Sequence, residues 1–190
     1  MVERLGSGSQ GTVSLVLMYS DSDEATGLYA CKFFKRSFLD EHQKRREYLD
    51  REIRSMEESS RETSTPLQER ITSERGEILI MDYANGHNLN ALLGMRNGPL
   101  SEAEAQAIVH KLAKGLADLQ NKRILHRDIN INNVVLHFPR LEPTPEDLQR
   151  PQEYVQRLGE EINRIRGDNL LAHTFEVKIV DYGLSKVIED

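Results

Sequence analysis

Residues 6–18 read Gly6-Ser7-Gly8-Ser9-Gln10-Gly11, followed without a break by Thr12-Val13-Ser14-Leu15-Val16-Leu17-Met18. The glycine spacing suits a loop whose backbone amides approach phosphate closely, because glycine has no Cβ to stand in the way. Two architectures use such a string, and the residues after it separate them. A dinucleotide-binding turn runs directly into a helix whose N-terminus faces the pyrophosphate. Here Val13, Leu15 and Leu17 alternate with Thr12, Ser14 and Val16, which is the period of a strand. Residues 3–18 therefore predict a strand, a Gly-rich turn and a second strand. A hairpin flap is favoured over a Rossmann crossover, and a dinucleotide-dependent oxidoreductase is disfavoured.

The whole chain sets the frame for this hairpin. At 190 residues, 38% hydrophobic and 29% charged, it suits one soluble domain or two small ones. Its 25 basic and 31 acidic residues leave a net charge of −6, which argues against a general footprint for nucleic acid or anionic lipid. The single Cys31 excludes an internal disulfide framework and a multi-cysteine zinc site. The start, Met1-Val2-Glu3-Arg4, lacks the apolar run of a signal peptide, and no stretch is apolar enough to span a bilayer. The expected setting is cytoplasmic, with the nucleus left open.

Outward from the hairpin, residues 28–34 (LYACKFF) predict a third strand after a polar turn. Residues 37–58 predict one helix, opened by Ser37 with Asp40 three residues on, and carrying an apolar stripe of Leu49, Ile53 and Met56. Residues 58–76 are so polar that they predict a loop, with at most a short strand near 67–71, whereas 77–83 (EILIMDY) is a clear strand. Ser101 and Glu104 form a capping box ahead of Ile108, Val109, Leu112, Leu116 and Leu119, predicting a helix to about Asn121. Residues 124–136 hold two short apolar runs around HRDIN, and EVKIV at 176–180 predicts a last strand before Asp181-Tyr182-Gly183.

Residues 138–175 form a Pro-rich and charged insertion whose second half reads as helix. Leu148, Val155, Leu158, Ile162 and Ile165 fall at heptad-like spacing, Glu153–Arg157 and Glu160–Arg164 are spaced to pair, and Gly167 is a stop signal. This helix either packs on its own domain or, through residues 152–166, docks a protein partner.

Three places carry chemistry. Lys32 lies between apolar neighbours, where an ammonium is costly unless an anion meets it. Glu52 lies beside the apolar stripe of its helix and could be that anion, although Glu41 and Glu47 are alternatives. His126-Arg127-Asp128 and Asn133 place a carboxylate and an amide five residues apart in a loop, suiting a base and a metal ligand. Asp181, at a strand end, adds a second carboxylate for a divalent cation. His42, His87, His110, His137 and His173 are assigned no role.

Taken in order, GSGSQGTV, ACK, Glu52, the hinge-like IMDYANG, HRDININN and DYG resemble the signature series of the eukaryotic protein kinases, serine/threonine type. The resemblance implies an α+β fold. Residues 1–83 would form an antiparallel small lobe with one main helix, and residues 84–190 the first part of a mainly helical large lobe, with the insertion at 138–175. It implies ATP and Mg2+ as cofactors and a protein as substrate. Carried over position by position, Gly6, Gly8 and Gly11 would cover the phosphates, Lys32 would hold the α- and β-phosphates, and Glu52 would orient Lys32. Val13, Ala30 and Val135 would sandwich adenine, with Leu5 at its edge, Met81 as gatekeeper, and the backbones of Asp82 and Ala84 on the adenine edge. Asp128 would be the catalytic base, and Asn133 and Asp181 would hold metal. Met56, Leu67, His126 and Tyr182 fall where the family stacks its regulatory spine.

The sequence departs from the pattern at Asn130, where serine/threonine kinases usually carry a lysine. It departs again at Tyr182, usually phenylalanine, and in the long insertion. It also stops soon after DYG, which predicts uncovered apolar surface on the 101–121 helix. The reading is a protein kinase transferring phosphate to a protein hydroxyl; the alternative is a non-catalytic pseudokinase-like module that binds nucleotide or a partner.

Overall fold

The computed structural model describes residues 1–7, 11–41, 43–95, 98–167 and 170–188. Five strands come first: β1 (Glu3–Ser7), β2 (Thr12–Tyr19), β3 (Ala25–Lys35), β4 (Leu67–Ser73) and β5 (Gly76–Asp82). They form one antiparallel sheet in the order β1-β2-β3-β5-β4. The expected hairpin is β1–β2. Gly11, at its closing end, is required by close approach, since a Cβ there would stand 2.3 Å from the carbonyl oxygen of Phe33.

Between β3 and β4 the chain is helical on both sides of residue 42, which lies outside the described residues: α1 (Arg36–Glu41) precedes it and α2 (Gln43–Glu58) follows it. Ser37 lies inside α1 and not at its start, and Asp40 pairs with Arg36 and Arg46 in place of closing a capping box. The stripe of α2 holds: Leu49, Ile53 and Met56 are buried with Phe34, Leu79 and Met81 of the sheet.

The helical half opens with α3 (Leu89–Met95), which the sequence reading did not assign, and α4 (Glu102–Asn121). Ser101 and Glu104 make the full capping box: the Ser101 hydroxyl accepts from the Glu104 amide at 3.2 Å, and the Glu104 carboxylate accepts from the Ser101 amide at 2.8 Å. Ile108 and Leu119 are buried, Leu112 and Leu116 half-buried, and Val109 is 61% exposed. Strands β6 (Ile124–Leu125) and β7 (Val134–His137) bracket the HRDININN loop. β7 pairs with β8 (Glu176–Ile179), and β6 with β9 (Lys186–Val187).

The insertion thus connects β7 to β8. It contains two short 3-10 helices, Pro139–Leu141 and Leu170–Ala172, together with α5 (Pro145–Gln149) and α6 (Pro151–Gly167). Tyr154, Leu158, Ile162 and Ile165 of α6 are buried in one core with Ile108 of α4 and Val177 of β8. The apolar stripe therefore packs on its own chain, and the partner-docking alternative loses the surface it invoked. Val155 packs half-buried against the same core, and Tyr154 beside it is buried in full. The ion pairs differ from those expected, running Arg157–Asp147 and Arg164–Glu161, because Asp147 of α5 comes within 2.7 Å of Arg157.

Candidate active site

Lys32 points from the middle of β3 into the cleft between sheet and helices and is 7% exposed. Its Nζ donates to Glu52 Oε1 at 2.6 Å and to Asp181 Oδ1 at 3.0 Å. Of the carboxylates the sequence left open for Lys32, the helix turns Glu52 inward, 2% exposed, while Glu41 faces Arg45 and Glu47 faces Arg51. Burial alone would lower the Lys32 ammonium, but Glu52 and Asp181 outweigh it and hold its pKa above the usual lysine value. Burial likewise opposes ionisation of Asp181, yet Lys32 beside it and the amide of Gly183 keep its carboxyl below the ordinary range.

The HRDININN loop holds Asp128 through side-chain amides. Asn133 Nδ2 donates to Asp128 Oδ2 at 2.9 Å and to its carbonyl at 3.0 Å. Asn130 Nδ2 donates to Asp128 Oδ1 at 3.1 Å, and Asn130 Oδ1 accepts from the amide of Asn132 at 2.9 Å, so the orientation of the Asn130 amide follows from its two partners. Each carboxylate oxygen of Asp128 is therefore aimed by a neutral donor, one of them from the position where the family usually carries a lysine.

His126 sits beneath the loop. Its Nδ1 accepts from the Asp128 amide at 3.4 Å, which leaves Nε2 as the donor to the Val180 carbonyl at 3.0 Å. Burial keeps this imidazole below its usual pKa, consistent with the neutral tautomer. Its ring meets the edge of Tyr182 at 4.9 Å between centroids, and Tyr182 joins Met56, with Leu67 packed against the same cluster. The four spine positions are thus brought together. Two backbones at the site are left-handed, Arg127 at φ 64° and Asp181 at φ 63°, an uncommon conformation for residues with a Cβ.

Of the residues expected around adenine, Val13, Ala30 and Met81 share the face of the sheet that carries Lys32. Ala30 pairs with Met81 across β3–β5, and Val13 with Lys32 across β2–β3. Val13, Ala30 and Val135 are half-buried, Met81 is buried, Leu5 is 39% exposed, and Ala84 follows β5. The Asp82 side chain turns away to Arg61 and Gln68. Gly6 has open space on its Cβ side, and Gly8 lies outside the described residues. Asn133 and Asp181 are drawn together because the Val180 amide donates to the Asn133 carbonyl at 3.0 Å. Their donor set, an amide oxygen and a carboxylate, suits a hard cation such as Mg2+, which prefers oxygen and keeps part of its water shell. Among the described residues no group of three or more His, Cys, Asp or Glu side chains gathers for a metal.

Sequence reasoning missed three supports. Arg127 donates to the carbonyls of Leu184 and Ser185, Ser185 Oγ donates to Ser55 Oγ of α2 at 2.7 Å, and Asn85 clamps Phe138. The first two tie the segment after DYG to the HRDININN loop and to α2. All three are long-range polar contacts with no signal in local pattern.

Comparison with known proteins points the same way. The family described as Protein kinase domain matches residues 1–142. The serine/threonine-protein kinase CLA4 of Candida albicans is 30% identical over 137 residues, covering 72% of this chain and 13% of that protein. The serine/threonine-protein kinase TAO3 of Rattus norvegicus is 28% identical over 138 residues, 73% of this chain and 15% of its own. TAO2 of Xenopus laevis, another serine/threonine-protein kinase, is 40% identical over 63 residues, 33% of this chain and 6% of its own. The chain spans less than a fifth of the length of these relatives.

Proposed function

Because the chain belongs to the protein kinase family, we propose that it forms the nucleotide-binding and catalytic part of a kinase that moves the γ-phosphate of ATP to a protein hydroxyl, that of serine or threonine. Residues 1–83 are then the small lobe and residues 84–190 the first part of the large lobe, interrupted at 138–175. The carrying observation is the convergence of Lys32, Glu52, Asp181, Asn133 and Asp128 on one cleft.

Phosphoryl transfer asks for positioning and charge neutralisation more than for covalent chemistry. Lys32, kept charged by its carboxylates, takes the α- and β-phosphates, and Glu52 fixes its direction. Gly6, Gly8 and Gly11 cover the phosphates from above. Leu5, Val13, Ala30, Met81 and Val135 wall the adenine, whose edge meets the backbones of Asp82 and Ala84. Asn133 and Asp181 hold Mg2+, which when bound neutralises phosphate charge. The substrate oxygen attacks the γ-phosphorus as the bond to the bridging oxygen of ADP breaks, and Asp128 accepts the hydroxyl proton.

A second reading rests on Asn130: with an amide in place of a cation beside Asp128, the site binds nucleotide without transferring phosphate. Measuring transfer of labelled γ-phosphate to a serine- and threonine-rich substrate, alongside Mg-ATP affinity, separates the two. Under the kinase reading, Asp128→Asn lowers transfer about a hundredfold or more while affinity stays within about twofold. Binding with no transfer above the Asp128→Asn level favours the second reading, and absence of binding overturns both.

A further inference from the structure

We propose that the insertion at 138–175 is a post between the lobes that limits how far the nucleotide cleft opens. It is bolted to the helical half at both ends. At its root, Asn85, just past β5, donates Nδ2 to the Phe138 carbonyl at 2.9 Å and accepts from the Phe138 amide at 2.8 Å, a two-way clamp in a buried setting. At its far end the Leu170 amide donates to the buried Glu104 carboxylate at 2.9 Å. Between these anchors the buried stripe of α6 fixes the helix to the core of the helical half.

The middle of the insertion crosses to the sheet. Helix α5 packs against β3, and Leu148 joins the cluster that buries Leu15 of β2 and Leu28 of β3. Side chains alternate along a strand, so Leu15 shares its face with Val13, and Leu28 shares its face with Ala30 and Lys32. The insertion therefore meets the underside of the sheet, the side that faces the cleft. Helix α5 is itself braced. Thr144 and Asp147 form a capping box, Asp147 pairs with Arg157 at 2.7 Å, and the Tyr154 hydroxyl donates to the Leu141 carbonyl at 2.8 Å. A braced helix seated on the cleft-facing side of β3 resists rotation of the sheet away from the helical half. The consequence is slow nucleotide exchange and a Lys32–Glu52–Asp181 arrangement that is set before nucleotide arrives.

Leu148→Asp tests this by placing a carboxylate against the cluster that holds Leu15 and Leu28, with no side chain of α6 changed; Leu148→Met restores an apolar contact, and Leu148→Ala is the milder truncation. Hydrogen exchange is read at β2, β3 and α6 of the full chain, and release of a fluorescent ADP analogue is followed by stopped flow. The post requires faster amide exchange in β2 and β3 of Leu148→Asp with α6 protection unchanged, near-normal behaviour in Leu148→Met, and release about tenfold faster in Leu148→Asp. If Leu148→Asp also loosens α6, Leu148→Ala decides by the same comparison. Unchanged β2 and β3 exchange with α6 intact overturns the post. The exchange measurement needs no nucleotide, so failure of the wild-type chain to bind the analogue would count against both readings of the site and not against the post.

Discussion

Tyr182 meets His126 edge to face and is 1% exposed, and its hydroxyl faces Ser59 and Ser64 without completing a hydrogen bond. Ser59 and Ser64 instead bond each other at 2.5 Å. A buried hydroxyl without a partner costs about 1–3 kcal/mol of desolvation. Tyr182→Phe keeps the ring and removes that cost, so the urea midpoint should stay level or rise, equivalent to as much as about 1 kcal/mol. A clear fall would mean that the hydroxyl is satisfied in solution. His126 makes a pH prediction of defined sign. Burial lowers its folded-state pKa below the ordinary 6.5, so its contribution to stability is complete above 6.5 and is lost as pH falls through the folded value. Between pH 7 and pH 5 the wild type should lose more unfolding free energy than His126→Tyr, which carries no charge in that range. His137 shifts in the same direction through burial and Lys178, but it is present in both proteins and drops out of the comparison.

At the scale of elements, what could be read from sequence was what local periodicity and capping encode. The β1–β2 hairpin, the capping box of α4 and the stripe of α2 each place their signal within a few residues, and each stands in the structure. Strand β4 was expected to be short at most because Leu67–Ser73 is an edge strand with most residues exposed, so no apolar alternation marks it; its pairing with β5 defines it. The first turn of α1 was misread because Ser37 and Asp40 mimic a capping box, while the actual partners of Asp40 are Arg36 and Arg46. The α6 stripe was legible from its spacing, Val155 included, whereas the full burial of Tyr154 depends on where Leu141 lies, since its hydroxyl bonds the Leu141 carbonyl. At the site the residue types were legible from the motif series, whereas Asn130 as a donor to Asp128 and Asn85 as a clamp depend on contacts whose geometry only the folded chain supplies.

For the whole molecule, the cleft draws its lining from both halves: Lys32 and Glu52 come from sheet and helix of the first, Asp128, Asn133 and Asp181 from loops of the second. A ligand that touches both halves binds the folded chain and not the unfolded one, so it stabilises by mass action. At one hundred times its dissociation constant this amounts to about 2.7 kcal/mol, and for a chain of this size each kcal/mol moves the melting temperature by about 2–4 °C. Saturating Mg-ATP should therefore raise the melting temperature by about 5–10 °C. Two substitutions separate the contributions. Asp181→Ala removes the proposed metal carboxylate and a partner of Lys32 at 3.0 Å, so it should abolish most of the magnesium-dependent part of the rise. Glu52→Gln keeps a hydrogen-bonding side chain beside Lys32 but removes its charge, and it should reduce the rise without removing the dependence on magnesium. A rise that is the same with EDTA as with magnesium, or that survives Asp181→Ala in full, would mean that nucleotide is held elsewhere than between Lys32 and Asp181.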